Sequence, residues 1–445
     1  MEERVPSEPR TVTRRKFVQG VSVGVVGGLV VGGGAGVAGG LLSGGSEATS
    51  TTDTSGGGPA VKIGASLPLT GALAAVEGIE QKQASQLAIE EWNARGGVLG
   101  RQIEYIVQDA ADMAPETMLS NFHSLIDKSN VDAIVEGYQL FTGPELDVVA
   151  ESGTIYVNTN TASNNATIYS SDPAKYWMCF MVDPPEVWYG KGFAAFAQSL
   201  ETSKVWQPKN KKIAIIMANV PYATAIGANV QAGMKKIGWT VSLFEKFDTP
   251  LNEWGPILQK IRSDPPDWIF VSDPFVSDMA SFNKQFCANP TKSLVYGQYA
   301  PGVAGYIDLT GAASNGVIWG TLLGIKPSEV GDTFRAAYEK RYGKAPSECA
   351  GGVLYDSVNL YLNAVAIAGS TDGKKVAQVL DSMWYAGVCG VYHMNSEHYV
   401  PAYPDATNDP AAGVPHMFLQ IQDGQQKVIY PEPYTQSELQ LPSWF

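Results

Sequence analysis

From Val61 onward the apolar positions of the chain follow two alternating periods. VKIGASL, residues 61–67, places apolar side chains at every second position and is closed by turn formers from Pro68 to Gly71, which predicts a strand. Ala84, Leu87, Ala88 and Trp92 then recur at helical spacing on one face, and the run stops at Gly96-Gly97, where positive φ is accessible. IEYIVQD predicts the second strand, followed by a helix around Thr117 to Asp127, the strand VDAIVEG, a helix from about Pro144 and the strand TIYVNTN. Strands alternating with helices imply a parallel sheet covered on both faces, because a parallel crossover is long enough to hold a helix and wraps with one hand.

A break at Asp183-Pro184-Pro185 precedes a second cycle, with Asp183 expected to cap a helix that carries both prolines in its first turn. KKIAIIMAN, TVSLFEKF, DWIFVSD, LVYGQYA and VIWGTLL predict strands. Helices are predicted at IGANVQAGMKKIG, WGPILQKIRSD, MASFNKQFC, SVNLYLNAVAIAG and KKVAQVLDSM, and HMFLQIQDG is the one clear strand of a tail rich in Pro, His and Tyr. The fold class expected is α/β, with two Rossmann-like lobes. Open parallel sheets bind ligands where loops leave the carboxyl ends of their strands. The loops LPLTG, GYQLFTGP, NTNTASNN, NVPYAT, SDPFVSD and GQYAPG are therefore expected to surround one pocket between facing sheets.

Ahead of this pattern, TVTRRKF and the small, apolar run that follows it read as a targeting segment. Arg14 and Arg15 followed by Lys16 and Phe17 resemble a twin-arginine export signal, assigned to residues 1–48, with cleavage sites near Ala38 or after Ala48. A retained membrane anchor is the alternative, although the many glycines lower the transfer free energy of the run. Residues 49–58, rich in Gly, Ser and Thr, are expected to form a flexible linker.

Composition removes several functions. With 31 Lys and Arg against 44 Asp and Glu, and no basic block beyond the leader, no surface offers phosphates a dense positive patch, so nucleic acid is not an expected partner. Cys179, Cys287, Cys349 and Cys389 show no C-x-x-C spacing, which argues against a zinc site or a redox pair. Disulfides and buried thiols both remain open for them. His123, His393, His398 and His416 form no ligand pair at helical spacing, no G-x-S-x-G or phosphate loop is present, and Asp109 and Asp112 read as loop and cap residues. No enzyme, cofactor or metal is expected.

LPLTG, the segment NARGGVLGRQIEYIVQD with Asn93, Gly96, Gly97 and Gly100, VPYATAIG and YDSVNLYLNAVAIAGS together resemble the type I periplasmic binding proteins. The resemblance is to the branched-chain amino acid and amide branch that feeds ABC importers, and it runs from Val61 to Asp423. It implies two lobes joined by a three-strand hinge: lobe 1 from 61–182 and 316–385, lobe 2 from 183–315 and 386–445 with the tail. Hinges are expected near Phe180 to Asp183, near Gly316 to Gly320 and in the C-terminal part. The implied function is extracytoplasmic capture of a branched-chain or other amino acid, an amide or a carboxylate, with membrane permease and ATPase subunits and the twin-arginine export machinery as partners. A sensing module of the same fold is the alternative.

In amino acid binders of this kind, hydroxyls and backbone N–H groups of the first lobe hold the ligand carboxylate. Thr161, Ala162 and Ser163 in NTNTASNN match one such loop, and Thr142 in GYQLFTGP, or Phe141 beside it, matches the other. Hydroxyls and free amides suit an anion because they donate without a buried cation. Glu186 aligns with an acid that faces the ligand ammonium, whereas the position of a second acid falls at Gln298 or Tyr299, where none exists. That departure weakens the case for a zwitterionic amino acid and leaves room for an amide, a carboxylate or a larger aromatic compound. Tyr222, Phe275 and Tyr299 are candidate pocket walls, and Trp188 and Tyr189 are either walls or core residues.

Overall fold

The structure, a computed structural model, describes residues 58–71, 74–139, 142–404 and 407–445. The expected export signal, all of the linker but Gly58, and Phe141 lie outside these residues.

The first sheet is wholly parallel, with strands β1 (Val61–Leu67), β2 (Ile103–Asp109), β3 (Ala133–Glu136), β4 (Ile155–Asn158) and β5 (Cys179–Met181) in the order β2-β1-β3-β4-β5. Helices α1 (Ile79–Ala94), α2 (Pro115–His123), α3 (Pro144–Ser152) and α4 (Ser163–Ser171) connect its strands. β3, β4 and β5 are buried at every position, as expected of strands whose two faces are both covered.

Helix α5 (Val187–Thr202) leads into the second sheet, built on β6 (Lys212–Ala218), β7 (Thr240–Phe247), β8 (Trp268–Asp273), β9 (Leu294–Tyr299) and β10 (Ile318–Thr321). Between them lie α6 (Pro221–Lys236), α7 (Gly255–Ser263), α8 (Val276–Ala288) and α9 (Tyr306–Thr310). The chain then turns to α10 (Glu329–Tyr342), α11 (Gly351–Ala368) and α12 (Gly373–Ser382), and α11 packs on α1, β3 and β4 of the first lobe. Two short pairs follow, β11 (Tyr385–Ala386) with β12 (Val391–Tyr392) and β13 (Ala402–Tyr403) with β14 (Val414–Pro415). β15 (Met417–Gln422) and β16 (Gln425–Tyr430) complete the second sheet on its β10 edge, both antiparallel.

Several expectations are corrected. α5 starts at Val187 with Glu186 at its N-cap, so neither proline lies in its first turn and Asp183 is buried in the crossing ahead of it. A residue before proline is pushed out of the helical region, so Asp183 and Pro184, each followed by proline, keep the chain extended until Pro185 is passed. The stretch 316–385 opens with β10, a strand of the second sheet paired with β9 and β15, and the return to the first lobe comes after Thr321. α4 and α10 occupy stretches in which no helix is predicted, and β16 accompanies the one expected tail strand. All four cysteines are free thiols, and Cys179, Cys349 and Cys389 are buried.

The chain passes between the lobes after β5, after β10, and between α12 and β15. The first and third passages run side by side, with Met181 N donating to His398 O at 2.8 Å and Val400 N donating to Met181 O at 3.1 Å. His398 fills the space beside them, its ring stacked 4.0 Å from Tyr169 and 4.7 Å from Phe180.

Candidate ligand-binding site

A cavity lies where the carboxyl ends of the two sheets face each other. The first lobe contributes Glu77 and Gln81 from the turn after β1 and the start of α1, Tyr138 from the loop after β3, and Thr159 and Thr161 from the loop after β4. Facing them are Tyr189 on α5, Tyr222 at the start of α6, Pro274 after β8, Tyr299 at the end of β9 and Leu323 after β10. No Lys, Arg or His among the described residues lines it, and Glu77 is its one carboxyl group.

The placement of Glu77 follows from the β1 loop. Asp109, at the end of β2, accepts from Leu69 N at 2.9 Å, Thr70 N at 3.2 Å and Thr70 Oγ1 at 2.7 Å, which fixes the LPLT turn. The chain then doubles back so closely that a Cβ at Gly78 would lie 1.8 Å from Pro68 O; only glycine lets the turn carrying Glu77 settle there. A Cβ at Gly137 would likewise meet Gln81 Oε1, so glycine beside Tyr138 makes room for the Gln81 amide. Gln81 Nε2 donates to Glu77 Oε2 at 3.3 Å, and Gln81 Oε1 is buried with no hydrogen-bond partner. Glu77 is 6% exposed, and burial raises its pKa to about 7 despite the Tyr299 hydroxyl and Gln81 beside it.

The opposite wall is aromatic. Tyr222 stands edge-on to Tyr138 and Tyr189, with ring centroids 6.0 and 6.2 Å away, and its hydroxyl accepts from Gln298 Nε2 at 3.1 Å. Gln298 in turn accepts from the Tyr296 hydroxyl at 2.8 Å, so a buried chain of three polar side chains sets the Tyr222 ring. Tyr189 is a wall and a core residue at once: its hydroxyl accepts from Leu322 N at 3.4 Å and its ring is 1% exposed.

Of the residues picked out in the sequence, Thr161, Tyr222 and Tyr299 line this cavity together. Thr161 directs its hydroxyl at Pro184 O, 2.8 Å away, across the first crossing. Thr142, Ala162, Ser163, Glu186 and Phe275 are not among the lining residues. Thr142 bonds to Glu145 at 3.0 Å and to Asn165, and the Ala162 N–H is used on Asn160 O at 2.6 Å. Glu186 accepts from both Ser163 N at 2.5 Å and Ser163 Oγ at 2.9 Å, which joins the β4 loop to the start of α5. Burial raises the pKa of Glu186 while these bonds hold it down in part. Phe275 caps α8 outside the cavity, with its N–H on Asp273 Oδ1 at 2.9 Å. Glu77, Gln81 and Tyr138 were not singled out. The loop of Tyr138 was, but Glu77 and Gln81 lie beyond LPLTG, where an acid carries no periodic signal and its burial depends on a second lobe.

The sequence profile of the periplasmic binding protein family matches residues 60–402. Among curated proteins, the chain is 23% identical over 412 residues to Leu/Ile/Val-binding protein homolog 7 of Brucella melitensis, covering 86% of this chain and 94% of that one. A crystal structure from Silicibacter pomeroyi, provisionally assigned as a branched-chain amino acid ABC transporter, superposes with a TM-score of 0.83 at 38% identity, over 87% of this chain and all of that one. The isoleucine complex of LivJ from Streptococcus pneumoniae shares the fold at 18% identity, with a TM-score of 0.68 over 84% of this chain and all of that one.

Proposed function

Since the chain belongs to the periplasmic binding protein family, we propose that it is the extracytoplasmic substrate-binding protein of an ABC importer, capturing a small polar organic solute between its two lobes. The observation that carries this is the cavity at the facing carboxyl ends of the two sheets, to which both lobes contribute side chains. A ligand that touches both walls stabilises the closed arrangement over the open one, and a permease that recognises the closed form reads occupancy. The lobe division fits such a movement, because the lobes are joined by passages rather than by a shared sheet. Amino acids, amides and carboxylates are the solute classes we consider, and Thr161, Tyr222 and Tyr299 are the sequence-derived residues we place against the solute.

We place the protein outside the cytoplasm by the Arg14-Arg15 signal, with the permease and ATPase subunits and the twin-arginine machinery as its partners. Among the described residues no helix is long and apolar enough to cross a membrane. Replacing both arginines by lysine is expected to leave the protein in the cytoplasm; undiminished export of that variant refutes the signal assignment.

The test of capture is a thermal-shift screen of residues 59–445 with amino acids, amides, urea and simple carboxylates. A solute at a hundredfold excess over its dissociation constant stabilises by about 3 kcal/mol. Tyr222→Ala should remove that shift, while the absence of any shift across the screen refutes solute capture.

A further inference from the structure

Resting on that reading of the cleft, we infer that Glu77 is the counter-ion of the solute: the captured molecule brings a protonated nitrogen head group to the Glu77–Gln81 end of the cavity. Both side chains present acceptors there, the Glu77 carboxyl and the unpartnered Gln81 Oε1, and no basic residue among those lining the cavity satisfies them. A buried carboxyl group without a cation is costly, and an N–H-rich cation supplies both the missing charge and the missing donors. Tyr138, Tyr222 and Tyr299 line the same space, and aromatic rings suit an organic cation. Glu186, the acid expected from the sequence to meet an ammonium, is held by both donors of Ser163 and does not line the cavity. A carboxylate arriving alone finds no cation, meets the Glu77 charge, and finds the Ser163 and Ala162 N–H groups already engaged.

Capture of a cation is therefore coupled to a proton. The titratable groups facing Glu77 are Glu80 of its own segment, Tyr138, Tyr299 and Cys349, all of which are neutral or acidic. In the empty site burial holds the Glu77 carboxyl near pH 7. A bound ammonium lowers it, so binding expels about half a proton at pH 7, about 0.9 at pH 6 and almost none at pH 9. Affinity for the cation falls by nearly tenfold per unit below about pH 6 and levels off above about pH 8.

The test is isothermal titration of the protein in buffers of different ionisation enthalpy. The probes are isoamylamine and phenethylamine, leucine and phenylalanine, the acids isocaproate and hydrocinnamate, and the amides of those acids. Probes bearing an ammonium are expected to bind with the stated proton release, and the acids are not expected to bind. Glu77→Gln, which keeps the shape and the acceptor to Gln81, should weaken the ammonium probes by at least about thirtyfold and abolish the proton release. Wild-type proton release needs no variant and stands if the substitution misfolds. Binding of the acids or amides as tight as that of the ammonium probes, or ammonium binding with no proton release at pH 7, overturns the assignment of Glu77 while leaving solute capture intact. No shift with any solute in the wider screen removes capture itself.

Discussion

Glu77 should make the empty protein less stable as pH rises. Its carboxyl group titrates near 7 in the folded chain, raised by burial from an ordinary value of 4.5. The folded state therefore holds the proton more tightly than the unfolded state, and stability falls as pH climbs through that window. The difference of about 2.5 units corresponds to about 3 kcal/mol, present in full only above the folded value. Glu77→Gln replaces the acid with an uncharged side chain of the same shape. It should match wild type at pH 4.5 and exceed it by about 2–3 kcal/mol at pH 8, measured by urea unfolding without ligand. Glu136 and Asp273, whose buried carboxyl groups each titrate near 8, weaken both proteins over the same range and cancel in the comparison. A difference that does not vary with pH, or a variant less stable than wild type at pH 8, refutes the claim that the cleft holds an uncompensated acid. Such stabilisation at the expense of binding is the usual signature of a functional site.

Three further substitutions test how the site is supported. Gly78→Ala forces a Cβ against Pro68 O and should cost about 1–3 kcal/mol by thermal unfolding while displacing Glu77, seen as weaker solute binding; an unperturbed variant contradicts the close approach of the two segments. His398→Ala removes a ring 12% exposed that stacks on Tyr169 and Phe180 and bonds Cys179 O at 3.0 Å, and should cost about 2–4 kcal/mol, with faster proteolysis at residues 395–400 as the local readout. Glu186→Ala removes the one oxygen, Oε2, that accepts both donors of Ser163 and should cost about 1–2 kcal/mol of stability; a loss of affinity with an unchanged Tm would instead put Glu186 on the solute.

The sequence alone carried the alternation of strands and helices, because periods of two and 3.6 residues are local properties of where apolar side chains fall. β2 matches IEYIVQD residue for residue, and α1 ends just ahead of Gly96-Gly97, because a twisted strand and a glycine stop are written in adjacent residues. From that order the parallel sheets followed, and from the sheets the place of the cleft at their carboxyl ends. Tyr222, taken from the family resemblance, and Tyr299 both stand at a strand end or helix start on the cleft side and line it, whereas Phe275, at a similar place ahead of α8, does not, so position alone does not select the walls. The order of strands in the second sheet, with β15 and β16 added antiparallel beside β10, was not local, since it depends on pairing across a hundred residues. Nor was the fate of the acids. Glu186 is committed to Ser163 and Glu77 to the cavity because the lobes meet in one way, and only that meeting decides which carboxyl group is bonded to the neighbouring loop and which lines the cleft.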